Sequence, residues 1–139
     1  MMRSDPVFVL NGDSLVDASF FSFVSWFMEK GQAAAMLLTH VEDSARYGQV
    51  ELDTDGHIIS FKEKNTCSGP GWINAGVYLM NRSLIESIPE NTCFSLETDL
   101  FPGLSGKGLT GYPWKSRFID IGTEESFIKA GDFVRRSEL

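Results

Sequence analysis

Val7-Phe8-Val9-Leu10 runs straight into Asn11-Gly12-Asp13-Ser14, and this junction constrains the fold more than any other stretch. A continuous apolar run that ends in a turn signal predicts a buried strand of a parallel sheet. Asp13 then falls just past the carboxyl end of that strand, where open α/β sheets bind their ligands. A carboxylate in that position suits a divalent cation. The strand begins close to the start of the chain, so nothing ahead of it supplies a phosphate-cradling loop.

Composition narrows the function classes. The 139 residues are one domain's worth, enough to bury a core without disulfide or metal support. A hydrophobic content of 42% and an aromatic content of 12% describe a globular chain. The net charge of −7 opposes binding to nucleic acid. An anionic ligand therefore needs a lysine, a nest of backbone amides or a metal ion. Cys67 and Cys93 are too few for a disulfide framework and lack zinc-ligand spacing. Free thiols in a cytoplasmic protein are the expectation. No signal-peptide pattern or membrane-length apolar run is visible.

Strands and helices alternate along the chain. After Val7–Leu10, Asp17 or Ser19 caps a helix running to about Lys30, with Phe20, Phe23, Val24, Phe27 and Met28 on one face and Gly31 at its end. Ala33–Val41 predicts a second buried strand. Gln49–Leu52 and His57–Phe61 alternate around Asp55-Gly56, a hairpin signal. A loop spans Asn65–Gly71, then a strand Ala75–Met80 and a short helix Arg82–Ile88. Ser95 caps Leu96–Phe101, which Pro102-Gly103 stops. Leu109–Trp114 and Arg117–Ile121 predict two further strands. Thr123 caps a last helix whose first-turn acids, Glu124 and Glu125, and last-turn bases, Arg135 and Arg136, match the helix dipole. Its expected buried face holds Phe127, Ile128, Gly131 and Val134.

A second strand-end carboxylate, Asp120, lies in Phe118-Ile119-Asp120-Ile121-Gly122-Thr123. Mg²⁺ is often held by one or two carboxylates plus phosphate oxygens and water. Asp13 and Asp120 are therefore either a metal pair or two ordinary turn acids. Asp53 and Asp55 also suggest a metal pair, but the Asp55-Gly56 turn explains them better. His40 and His57 have no partner pattern. Trp72 and Trp114 either stack on a ligand or fill core and rim.

The order of motifs resembles the sugar-1-phosphate nucleotidyltransferases, also called nucleoside-diphosphate-sugar pyrophosphorylases. Asn11-Gly12-Asp13 is similar to their first metal-aspartate motif, and Phe118–Thr123 to the second. Arg46-Tyr47-Gly48-Gln49-Val50 resembles the tyrosine-glycine segment beside the sugar. Phe61-Lys62-Glu63-Lys64 resembles the phenylalanine-x-glutamate-lysine signature, and Ile73-Asn74-Ala75-Gly76-Val77-Tyr78 the strand that follows it. Ser95-Leu96-Glu97 and Asp99-Leu100-Phe101-Pro102 resemble the acidic helix of the mannose- and heptose-1-phosphate guanylyltransferase branch.

The resemblance implies an α/β, Rossmann-like fold of glycosyltransferase-A type, with a mixed sheet and a β-hairpin insertion. It implies that Asp13 and Asp120 hold Mg²⁺ and that Lys64 meets the phosphate of a sugar 1-phosphate. Glu63 and Asn74 would bond sugar hydroxyls, Gly48 and Gly76 would bring their amides close to the sugar, and Glu97 is a further substrate contact. Local readings stand beside these: Glu63 and Lys64 as a solvated hairpin end, Gly48 and Gly76 as bulge glycines, Asn74 as a turn residue. The reaction implied joins a nucleoside triphosphate and a sugar 1-phosphate into a nucleoside-diphosphate sugar and pyrophosphate.

The 139 residues lack the family's glycine-x-glycine-threonine-arginine-leucine loop. The expectation is thus a partial domain over 1–139, the C-terminal portion of the fold with the N-terminal nucleotide-binding part absent. Such a fragment would be inactive alone, and would form a homo-oligomer or need a partner chain carrying that part. The alternative is a non-catalytic module that binds sugar phosphate or serves assembly. Nucleic acid and membrane are not expected partners.

Overall fold

Ala34–Val41 is apolar at nearly every position, and its side chains are buried on both faces of a sheet. Ala34, Met36 and Leu38 enter one core with Val50, Ile58, Tyr78, Met80, Phe101 and Leu109. Ala35 and Leu37 enter a second core with Phe23, Phe27, Ala75, Val77 and Leu79. The alternation follows from the two-residue period of a strand, and it places this strand between two layers.

The structure, a computed structural model, describes residues 6–62 and 64–136. In chain order these form β1 (Pro6–Leu10), β2 (Ser14–Val16), α1 (Phe20–Lys30), β3 (Ala34–Val41), β4 (Gln49–Leu52), β5 (Ile58–Lys62) and β6 (Gly71–Asn81). There follow α2 (Arg82–Glu86), a π-helical turn (Leu96–Leu100), α3 (Phe101–Leu104), β7 (Leu109–Pro113), β8 (Phe118–Asp120) and α4 (Glu124–Arg136). The main sheet has the order β1-β6-β3-β7, and β2-β8 and β4-β5 form two ribbons. β6 is antiparallel to both β1 and β3, while β3 and β7 are parallel. The sheet is therefore mixed and the class α/β, with the expected hairpin at β4–β5. No helix among the described residues is long and apolar enough to cross a membrane.

Local chemistry explains the best-defined helix. The Ser19 hydroxyl accepts from the Ser22 amide at 3.2 Å, so Ser19 rather than Asp17 is the cap. Gly31 ends the helix in the left-handed region at φ 65°, its N–H on the Phe27 carbonyl. Phe23 and Phe27 are buried against the sheet, whereas Phe20 and Met28 reach the surface.

Three expectations need correction. β1 is not a buried strand of a parallel sheet: among the described residues it is an edge strand, antiparallel to β6, with Phe8 and Leu10 exposed. A short apolar run reads the same whether it is paired on one side or on two. The apolar face of α4 is not buried either, since Phe127 is 65% and Ile128 71% exposed, with Val134 also at the surface. The helix is held instead at its start and through Phe133, whose ring lies under the Arg117 guanidinium at 4.9 Å. Finally, Pro102 does not stop a helix but sits in the first turn of α3, where its missing N–H has no partner to lose.

Candidate active site

The sites drawn from distant parts of the sequence meet in one cavity of about 410 Å³. Asp13, Gly48, Lys64, Asn74, Gly76, Glu97 and Asp120 all line it. Glu63 lies outside the described residues.

The two aspartates are delivered by one ribbon. Ser14 and Asp120 are partners in the β2–β8 ladder, and the Ile121 amide donates to the Asp13 carbonyl at 2.8 Å. The Asn11 amide donates to the Gly76 carbonyl at 2.8 Å, and the Ser14 hydroxyl to the Ala75 carbonyl at 3.3 Å. The turn after β1 is thereby fastened to β6. Asp120 Oδ1 accepts from the Gly122 amide at 2.8 Å, which fixes the carboxylate at the strand end. A pair of all-oxygen donors on a polar, water-accessible wall fits a hard divalent cation such as Mg²⁺.

Gly76 shows why that fastening needs glycine. It lies where the β3–β6 register shifts between Met36 and Leu38, at φ 75°. A Cβ there would overlap the Ser14 hydroxyl and lie 3.0 Å from the Asn11 Cβ. Gly76 is thus both a bulge glycine and part of the cavity wall. Gly48 plays the matching part opposite: its φ is 76°, and a Cβ would run into the Lys62 carbonyl.

The lysines are not equivalent. Lys62 pairs with Glu51 at 2.5 Å across the hairpin, and that hydrogen bond holds its ammonium above the ordinary value. Lys64 makes no ion pair among the described residues, so its charge is available to an anion in the cavity.

A polar network closes the third wall. Asn74 Oδ1 accepts from the Gly76 amide at 2.8 Å. Asn74 Nδ2 donates to Tyr78 Oη at 2.8 Å and to Glu97 Oε1 at 3.1 Å. The Tyr78 hydroxyl donates to the same Glu97 oxygen at 3.3 Å. Burial pushes the Tyr78 phenol well above its usual range, so it remains a donor at any physiological pH. Glu97 itself stands on the π-helical turn, where the Ser95 hydroxyl accepts from the Thr98 amide. Tyr78 escapes a sequence reading because a tyrosine in an apolar strand looks like core, and its ring is core.

The other candidates fall elsewhere. Asp53, Asp55 and His57 lie within 4.8 Å of one another, but Asp53 Oδ1 accepts from the Asp55 and His57 amides at 2.9 Å each, as a hairpin turn requires. Trp72 packs on the core with an edge contact to His40. The Trp114 indole donates to the Asp17 carbonyl. Neither tryptophan lines the cavity. Both cysteines are free thiols.

Comparison with known proteins agrees with this fold. The family described as nucleotidyl transferase (NTP_transferase) matches residues 1–137. That match runs over nearly the whole of the chain. Mannose-1-phosphate guanylyltransferase of Mycobacterium tuberculosis is 31% identical over 138 residues, 96% of this chain and 38% of the relative. The mannose-1-phosphate guanylyltransferase catalytic subunit beta of Drosophila melanogaster is 33% identical over 131 residues, 90% of this chain and 34% of the relative. The chain thus spans little more than a third of the curated relatives it matches. The crystal structure of HddC from Yersinia pseudotuberculosis superposes with a TM-score of 0.79 at 31% identity, covering 93% of this chain and 55% of that one. A second HddC structure, complexed with GMP-PN, superposes equally well. A Bacillus anthracis structure in complex with sucrose, at 22% identity and a TM-score of 0.77, shares the fold. With the fold, the order of its motifs and the match over nearly its whole length in agreement, the chain belongs to the nucleotidyl transferase family, a family of nucleotidyl-transferring enzymes.

Proposed function

We propose that this chain carries the sugar-phosphate and metal side of a sugar-1-phosphate nucleotidyltransferase, with mannose 1-phosphate or a sugar of like configuration as acceptor and GTP as donor. The observation that carries the reading is the convergence of Asp13, Lys64, Asn74, Glu97 and Asp120 on one cavity. The guanosine and mannose assignments follow the names of the relatives.

In this reading a phosphate oxygen of the sugar 1-phosphate attacks the α-phosphorus of the triphosphate in line, and pyrophosphate leaves. Such chemistry depends on positioning and charge neutralisation rather than on a nucleophilic side chain. Asp13 and Asp120 would hold Mg²⁺, which supplies orientation and charge for the α-phosphate when bound. Lys64 would hold the sugar phosphate as a point charge. Glu97, with Glu63, would accept hydrogen bonds from sugar hydroxyls, and the Gly48 and Gly76 amides would border the sugar ring.

Among the described residues no arginine and no glycine-rich turn for a triphosphate lines the cavity. That favours a second reading for these 139 residues taken alone: a module that binds sugar phosphate without turnover. The exposed edge of β1 and the apolar face of α4 support association with a second copy or a partner chain in the cytoplasm. Titration calorimetry with mannose 1-phosphate, beside a pyrophosphate-release assay with GTP and Mg²⁺, tests both readings. Binding without release supports the module. Turnover near one per second or faster overturns it in favour of a complete enzyme. No binding of any sugar 1-phosphate overturns both.

A further inference from the structure

We propose that Tyr78 and Asn74 form a bracket that orients Glu97, so that Glu97 rather than Asn74 is the sugar-reading group of this wall. The inference rests on the sugar-phosphate reading of the cavity. It assigns Tyr78, a residue absent from the expected site, a positioning role.

The direction of the Asn74 amide is fixed by its neighbours. The Gly76 N–H only donates, so it takes Oδ1. Nδ2 therefore faces Tyr78 Oη and Glu97 Oε1. An amide has two N–H donors, and both are used inside the protein. Asn74 has no donor left for a substrate, and only one lone pair of Oδ1 remains.

Glu97 is treated differently by the same network. Two internal donors, Asn74 Nδ2 and the Tyr78 hydroxyl, converge on Oε1. Oε2 is left to the cavity among the described residues. An ionised carboxylate accepts and cannot donate. Asn74 and Glu97 thus present acceptors alone to the cavity, the Oε2 of Glu97 and the remaining lone pair of Asn74, and the pair selects ligand groups that donate, such as neighbouring sugar hydroxyls.

Tyr78 couples this wall to the core. Its ring is 1% exposed and packs on Phe101 with centroids 5.1 Å apart. Phe101 directly follows the π-helical turn that carries Glu97. Tyr78 therefore holds this segment at two points, through its ring at Phe101 and through its hydroxyl at Glu97, beside the Asn74 amide. A surface glutamate spends its time among many rotamers, and two charge-assisted hydrogen bonds from a buried, rigid strand restrict them.

The test compares the unsubstituted chain with Tyr78→Phe and Glu97→Gln. Phenylalanine keeps the packing on Phe101 and removes the hydroxyl alone. NMR exchange of the Asn74 side-chain amide reads the bracket without any ligand. Exchange accelerated several-fold in Tyr78→Phe supports the bracket, and unchanged exchange overturns it. Calorimetry with mannose 1-phosphate and with inorganic phosphate then reads its use. Each variant is expected to weaken mannose 1-phosphate about five- to twentyfold while leaving inorganic phosphate unchanged. The double variant is expected to lose little beyond Glu97→Gln, since both substitutions act on one contact. Equal weakening of both ligands, or unaltered sugar binding in Tyr78→Phe, overturns the positioning role. If the unsubstituted chain binds no sugar 1-phosphate, the sugar-phosphate reading falls, and the amide exchange still decides the bracket.

Discussion

Ser14 and Asp120 face each other as partners in the β2–β8 ladder, and through that pairing two chain segments a hundred residues apart share one cavity wall. Asp13, one residue before the partner of Asp120, is carried to the same wall. If the two carboxylates share a cation, Mn²⁺ will broaden the amide resonances of residues 11–14 and 120–122 selectively. Asp13→Asn or Asp120→Asn is expected to weaken that effect about tenfold or more. Broadening centred on Asp53–His57 instead would remove the assignment.

Gly48→Ala tests the backbone approach on the opposite wall. The substitution forces a Cβ both into the left-handed region and onto the Lys62 carbonyl. A loss of about 2 kcal/mol or more in urea denaturation is expected. Gly56→Ala, also at positive φ but with open space around it, should cost less.

α1 supplies a contrast between core and surface. Phe23 is fully buried and Phe21 is 84% exposed, two residues apart on one helix. Phe23→Ala should cost about 3–5 kcal/mol, and Phe21→Ala about 0.5 kcal/mol or less. Similar losses for the two would contradict the docking of α1.

Acid should loosen the hairpin. Hydrogen bonds from Lys62 first and Ser60 second hold the Glu51 carboxyl below its ordinary 4.5. The amide of His57 does the same for Asp53, whose ordinary value is 3.8. A carboxylate with a lowered folded-state pKa stabilises above its unfolded value, and that contribution is lost as pH falls through the folded one. Thermal midpoints should therefore decline below about pH 4.5. Glu51→Gln should flatten part of the decline, as should 1 M salt, because the pair is exposed to solvent. At the alkaline end the sign reverses: the raised Lys62 stabilises below its ordinary 10.5 and loses that contribution as pH climbs past it.

Much of this was legible in the residues because it is local. A serine three residues before an amide, a glycine at a helix end and an Asp-Gly between alternating runs each specify their geometry over a few positions. Ser19, Gly31 and the β4–β5 hairpin follow those rules. The gathering of Asp13, Lys64, Asn74, Glu97 and Asp120 was legible only through the order of motifs, since spacing alone reads the aspartates equally well as turn acids and favours a solvated hairpin end for Lys64. What stayed hidden depends on partners elsewhere. The run Val7–Leu10 cannot show that one side of its strand goes unpaired, and the pattern Phe127, Ile128, Val134 defines a face without saying what meets it. Tyr78 was hidden because its apolar surroundings account for the ring and conceal the work of the hydroxyl.

The placement of β1 also sets the order in which the molecule can assemble. Among the described residues its one partner in the sheet is β6, with Pro6 opposite Asn81 and Leu10 opposite Val77, and the ribbon beside it waits still longer, for β8. On a ribosome β1 emerges before β6 and stays unpaired with it until the intervening helix and strands have followed. β3 meets the same delay, because both its neighbours, β6 and β7, come later. Closure of such distant pairings slows folding toward the millisecond-to-second range, and during that interval Phe8 and Leu10 are open to chaperones and to the strand edges of other nascent chains.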